Sequence, residues 1–212
     1  GNANVTVDVD ADSILTTNDG YIKGYEETQS ISVPSEYADA LAAEGYEVET
    51  NEDGTISASI TYVAKIGSDK YTSLEAAIEA ADDGDTVELL SDVTVDSVIK
   101  IEKAITIDGA DLYTVTGTAA KTFEVYADAS FEDVTIVNTA SKGRCVDTRT
   151  NVDLELTNVT LSAVKGNSQP LTVGGSDNGT NVAITDSSIE ARDSGYGIIT
   201  FVECEITLDN ST

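Results

Sequence analysis

The octapeptide GRCVDTRT, residues 143–150, gathers the most enzyme-like side chains of the sequence. Arg144 and Arg149 flank Asp147, and Lys142 and Lys165 are near in sequence. Two guanidiniums beside a carboxylate suit the gripping of an anion, such as the carboxylate of a uronate sugar. The same residues also suit a solvated face, where a few cations relieve the self-repulsion of an acidic chain. Strand alternation sets a condition. If Val146 points inward, Arg144 and Arg149 need not share a face. No histidine occurs anywhere, so every mechanism built on an imidazole base is excluded. Asp82, Asp83 and Asp85 surround a glycine turn, and Asp177 lies in GGSDNGTN. Calcium takes about 6–8 converging oxygens, and neither stretch has the spacing of a known calcium loop. No cofactor and no metal site is therefore expected, calcium being the one ion these acids leave open. Cys145 and Cys204 are too few for a disulfide framework and read as replacements for core aliphatics. A bond between them would need Cα atoms within about 7 Å, and that pairing stays open. The nine tyrosines read mainly as packing residues, with stacking on glycans as the other reading.

The setting for these residues is strongly acidic. Eleven basic residues against 39 acidic ones give a net charge of −28 over 212 residues. Nucleic acid and anionic membrane surfaces repel such a chain, so neither is expected as a partner. Disorder does not follow, because 40% of the residues are hydrophobic and they are patterned. No apolar run is long enough to span a bilayer. The sequence opens on Gly1 without a signal peptide, so an export signal and a wall anchor are expected outside it.

Two regions follow from the patterning, residues 1–63 and 64–212. In the first, NVTVDVD (4–10) alternates as a strand, and Ser35 to Glu44 favours a short helix. YEVETNEDGTISASITY then reads as a hairpin about the NEDG turn. In the second, TSLEAAIEAADDGD predicts a helix over about 73–83. Thr72 and Glu75 form a capping box, Leu74, Ala77, Ile78 and Ala81 an apolar stripe, and Gly84 the stop.

From residue 85 the sequence writes one phrase repeatedly: FEDVTIV (131–137), LTNVTLS (156–162), ITDSSIE (184–190) and FVECEIT (201–207). Phe131, Leu156, Ile184 and Phe201 fill one column. Asp133, Asn158, Asp186 and Glu203 fill a second, at a bend that Asn and Asp tolerate. Val134, Val159, Ser187 and Cys204 fill a third; Ile136, Leu161, Ile189 and Ile206 fill a fourth. IEKAITIDG (101–109) is a looser copy with Ile105 and Ile107. A repeat in the twenties with variable spacing is the signature of a solenoid whose coils carry loops of unequal size. One coil cannot bury its apolar side chains alone, so each rests on the last. The helix at 73–83 is placed to cover the first coil, whose strand edges would otherwise be open.

AKIGSDKYTSLEAAIEAADDGDTVELLSDVTV, IEKAITIDG, FEDVTIVN and LTNVTLSA resemble the capped right-handed parallel β-helices of the pectin-lyase-like type. Such units occur in secreted and cell-surface proteins of Gram-positive gut bacteria. EYADALAAEGYEVETNEDGTISA resembles a short linking module that accompanies them. The resemblance covers roughly residues 30–207. It implies a mainly all-β chain: a single-stranded right-handed parallel β-helix with an N-terminal capping helix, preceded by a small α+β region. It implies localisation that is secreted or at the cell surface. Enzymes of this fold resemble one another in using an Arg or Lys base beside calcium-binding acids, or clustered Asp residues with a His. No such set stands here, so no catalytic residue is assigned. Arg144, Asp147 and Arg149 stay as binding candidates. The expected function is a non-catalytic module, an adhesive or stalk segment of a larger exported protein, in contact with glycans or host surface proteins. A carbohydrate-active enzyme, degenerate or with a non-standard site, is the alternative.

Overall fold

A computed structural model describes residues 31–34, 47–50, 55–59, 61–149, 151–175, 179–192 and 195–212. The chain divides into two compact units, residues 1–61 and 62–212. The strand at 4–10 and the helix over 35–44 fall outside the described residues.

The first unit holds a small antiparallel sheet. Its strands are β1 (Ile31–Pro34), β2 (Glu47–Thr50) and β3 (Thr55–Ser59), in the order β1-β3-β2. The expected hairpin is the β2–β3 pair, with Val48 opposite Ala58.

The second unit begins with β4 (Ala64–Ile66) and β5 (Asp69–Tyr71), paired antiparallel. The helix α1 (Leu74–Ala80) follows. Its N-cap is Ser73, whose Oγ accepts the Ala76 N–H at 3.1 Å, so the cap sits one residue later than the capping box at Thr72 had placed it. Leu74, Ala77, Ile78 and Ala81 are all buried, as the stripe requires. Lys103 Nζ donates to the carbonyls of Glu79 and Ala81, beyond which stand Asp82 and Asp83. A cation on the last carbonyls offsets acids that oppose the helix dipole.

Five coils follow. They are β6 (Thr86–Leu89), β7 (Val93–Val95) and β8 (Ile99–Ile101); β9 (Ile105–Asp108), β10 (Thr114–Gly117) and β11 (Lys121–Val125); β12 (Ala129–Glu132), β13 (Thr135–Asn138) and β14 (Arg144–Thr148). Then come β15 (Asp153–Thr157), β16 (Thr160–Ala163) and β17 (Leu171–Val173); and β18 (Thr180–Thr185), β19 (Ser188–Ala191) and β20 (Ile198–Thr200). A sixth coil starts with β21 (Cys204–Asp209). Corresponding strands stack in parallel into three sheets, β21-β18-β15-β12-β9-β6-β4-β5, β19-β16-β13-β10-β7 and β20-β17-β14-β11-β8. This is a right-handed parallel β-helix, with α1 against β4, β5 and β6 at its first end.

The vertical columns are continuous. Val87, Ile107, Phe131, Leu156 and Ile184 lie in register, and each is at most 1% exposed. Ile136, Leu161 and Ile189 form a second column. Phe123 meets Phe131 edge-on across the core, ring centroids 5.2 Å apart. Each aliphatic group so withdrawn from water contributes on the order of 1.5–3 kcal/mol.

The last phrase is corrected by the pairing. Ile184 stands opposite Leu208, not Phe201, so the last interval is 24 residues rather than 17. Phe201 is 66% exposed. Ile206 belongs with Val182, and Cys204 with Thr180. The bend column runs through Asp133, Asn158, Asp186 and Asn210, with φ of 51°, 54°, 51° and 48°. Glu203 is not part of it. Asn and Asp are the side chains that visit this left-handed region most readily. Asn158 Nδ2 donates to Asp133 Oδ1 at 2.7 Å, and Asn210 Nδ2 to Asp186 Oδ1.

Candidate functional site

The third stack carries the candidate residues on its outer face. Thr122 and Phe123 in β11, like Cys145 and Val146 in β14, are both fully buried, which breaks strict alternation. In β14 the N–H groups of Cys145 and Val146 both donate to Pro170 O, each at 2.9 Å. Two donors on one acceptor shift the strand's phase, as in a bulge. The residue before each buried pair, Lys121 or Arg144, thereby comes to the same side as the acid after it, Glu124 or Asp147. The rungs align, Lys121 beside Arg144 and Glu124 beside Asp147.

Asp147 is the centre. Its side chain is 1% exposed. Its Oδ2 lies 2.8 Å from Lys121 Nζ, 2.9 Å from one Arg144 NH and 3.7 Å from one of Arg149. Lys121 also meets Glu124 Oε1 at 2.5 Å, and Arg149 Nε lies 3.7 Å from the same oxygen. Tyr126 OH donates to Glu124 Oε2 at 3.2 Å, and Lys100 lies over the Tyr126 ring at 5.9 Å. The three expected residues are thus brought together, and both arginines do share a face. Lys121, Glu124 and Tyr126 were missed. Their signal was present: Lys121-x-x-Glu124 and Arg144-x-x-Asp147 are one phrase, cation and acid three apart, in successive coils. Lys142 and Lys165 are exposed and take no part in these ion pairs.

Burial works against the Lys121 charge, but the hydrogen bonds and charges of Asp147 and Glu124 outweigh it, so its pKa lies above the ordinary value. Burial likewise raises Glu124, yet Lys121, then Tyr126 and Arg149, draw its carboxyl below the ordinary range. Arg149 is raised in the same manner: burial opposes its charge, and Asp147, Tyr126 and Glu124 overcome that. These residues are arranged to keep one another charged. That is the electrostatics of a clasp. Among the described residues, Asp147 Oδ1 accepts no hydrogen bond, and neither Gln169 Oε1 nor Thr172 Oγ1 has a partner. Thr172 is the rung after Asp147.

The remaining candidates have structural partners. Asp85 Oδ2 accepts the Asp82 N–H and Asp83 Oδ1 the Ala104 N–H, both at 2.8 Å. Asp177 lies outside the described residues. Among the described residues no group of three or more His, Cys, Asp or Glu converges as a metal site would. Cys145 and Cys204 are free thiols. Cys145 is fully buried with Sγ 3.3 Å from Ile136 O, and burial pushes its thiol up to about 12. No described helix is long and apolar enough to cross a membrane.

Comparison with family models, with curated proteins and with solved structures finds no match.

Proposed function

We propose that this chain is a non-catalytic module of an exported bacterial cell-surface protein, akin in architecture to the pectin-lyase-like β-helices, serving as a stalk or adhesive segment. The observation that carries this reading is the clasp on the third stack. The side chains best suited to chemistry are already engaged with one another, Lys121 and Arg144 on Asp147 and Lys121 on Glu124. Stacked rungs with a continuous apolar core form a rigid unit, and a rigid outer face suits the display of contacts to glycans or host surface proteins. A glycan array probed with the whole chain tests this reading. Binding without turnover is expected. Release of unsaturated or reducing sugars from an acidic polysaccharide would overturn it.

One observation favours the second reading, a carbohydrate-active enzyme with a non-standard site. Lys100, Lys121, Arg144 and Arg149 are gathered on one sheet face of a chain that has only eleven basic residues. A uronate sugar carries the matching charge. Turnover of an acidic polysaccharide that is lost on Arg144→Ala or Arg149→Ala would establish that reading.

A further inference from the structure

We infer that a groove beside the second stack binds an uncharged pyranose unit of a glycan, which deepens the glycan contact proposed above and rests on it. Five residues, 109–113, join β9 to β10, whereas two join the corresponding strands in each of the next three coils. The longer turn is tied to the coils that follow. Gly109 N–H donates to Glu132 O at 3.0 Å and Asp111 N–H to Asp133 O at 2.9 Å. Asn158, two coils on, donates from Nδ2 to Asp111 Oδ1 at 3.3 Å as well as to Asp133 Oδ1. Gly109 permits the close approach, since a Cβ there would lie 2.6 Å from Asp133 O. Ala110 and Asp111 have φ of 54° and 58°, two left-handed residues in succession without a glycine. Such a backbone is costly and persists only where its surroundings hold it. Between this turn and Asp133, Thr135, Asn158 and Thr160 lies a cavity of about 120 Å³. The groove is therefore formed in advance, on interior coils of the stack.

The lining specifies the occupant. Among the described residues no hydrogen bond engages the side-chain hydroxyls of Tyr113, Thr135 and Thr160. Each can donate or accept. Asp111 and Asp133 each give one oxygen to Asn158 and keep the second as an acceptor. Leu112 lines the same groove and is 74% exposed. An apolar group held in water on a tied turn offers contact to the C–H face of a sugar ring, while the hydroxyls and carboxylates meet its rim. The next outward column, Thr116, Val137 and Ser162, continues this surface without a charge, in a chain of net charge −28. The cavity has room for about four waters at roughly 30 Å³ each. That admits the edge of one ring and leaves its neighbours to the sheet face. A uronate is a poor occupant, because Asp111 and Asp133 meet its carboxylate with like charge. A divalent cation is another, since among the described residues no three acids converge.

The experiment titrates the whole isotope-labelled chain with cellotriose, maltotriose and mannotriose, followed by amide NMR shifts. Trigalacturonate is the charged comparison. At least one neutral trisaccharide should bind with a Kd of about 1 mM or tighter. It should shift the amides of Leu112, Tyr113, Thr135 and Thr160 most. Trigalacturonate should bind at these amides about tenfold more weakly or less. Leu112→Ala should weaken neutral binding about threefold. Thr160→Glu sets a longer, charged side chain in the groove and should weaken it about tenfold or more. Circular dichroism of both variants should match the parent, because Leu112 is exposed and Thr160 half-buried. No shift by any neutral trisaccharide up to roughly 10 mM, or tighter binding of trigalacturonate at these amides, would overturn the proposal. So would neutral binding that moves the amides of β11 and β14 instead and ignores both variants. Glycan contact would then stand and this groove would not carry it, whereas sugar release would overturn the non-catalytic module independently.

Discussion

Asp147 and Asn138 are fully buried polar side chains, one within β14 and one at the end of β13. Asn138 is fully buried; its Nδ2 donates to Ala119 O and Arg144 O and lies 3.1 Å from Thr122 Oγ1, while its Oδ1 accepts from Ala140 N. Gly143 permits this, since a Cβ there would lie 1.9 Å from Asn138 Oδ1. Asn138→Asp would set an oxygen against two carbonyls, those of Ala119 and Arg144. It should cost about 3 kcal/mol or more in urea unfolding. Asp147→Ala leaves Lys121 and Arg144 without their shared oxygen and should cost about 3 kcal/mol. Lys121→Ala removes a cation that is 21% exposed and leaves Arg144 and Arg149 to pair the acids, so it should cost closer to 1 kcal/mol. The pH dependence belongs to Glu124. Its folded pKa lies below the ordinary 4.5, so its contribution is complete above that value and is lost as pH falls through the lower, folded one. The stability gap between the parent and Glu124→Gln should therefore be present at neutral pH and shrink in acid, as paired urea titrations would record.

At the scale of elements, α1 and the strand register show what could be read from sequence. The apolar stripe of α1 was legible because four small aliphatics at helical spacing have no other use. Its C-terminal partner was not, because Lys103 lies over twenty residues away and only coiling returns it to Ala81. Lys103→Met should loosen this cap by about 1 kcal/mol, visible as faster exchange of the α1 amides. The column Phe131, Leu156, Ile184 was legible because each apolar residue precedes a bend residue by two positions. The last rung was misread because FVECEIT opens on an aromatic as FEDVTIV does, whereas the strand that pairs, CEITLD, carries the column residue at Leu208. The discriminating residue was Asn210, which takes the left-handed bend that Glu203 does not. In the candidate site, Arg144, Asp147 and Arg149 were legible as a cluster. Their convergence depended on the phase shift at Cys145 and Val146, a backbone event with no side-chain signature of its own.

For the β-helix as a whole, stability is a sum over coils and the interfaces between them, and it need not be uniform along the stack. Interior rungs are covered on both sides. Leu156 lies between Phe131 and Ile184 and is fully buried, whereas Leu208, among the described residues, has Ile184 on one side only and is 55% exposed. The same substitution in the same column should therefore have unequal consequences. Leu156→Ala removes a residue packed from above and below and should cost about 2–5 kcal/mol. Leu208→Ala removes contacts on one side and should cost less than about 1 kcal/mol. Native-state hydrogen exchange should follow the same gradient, with amides of β12 and β15 most protected and those of β20 and β21 least. The first end should not mirror the last, because α1 buries Leu74, Ala77 and Ile78 there. If β21 instead proved as protected as β12, in the chain alone and at low concentration, stacking would not be what holds each rung. The columns would then be a consequence of the fold rather than its cause.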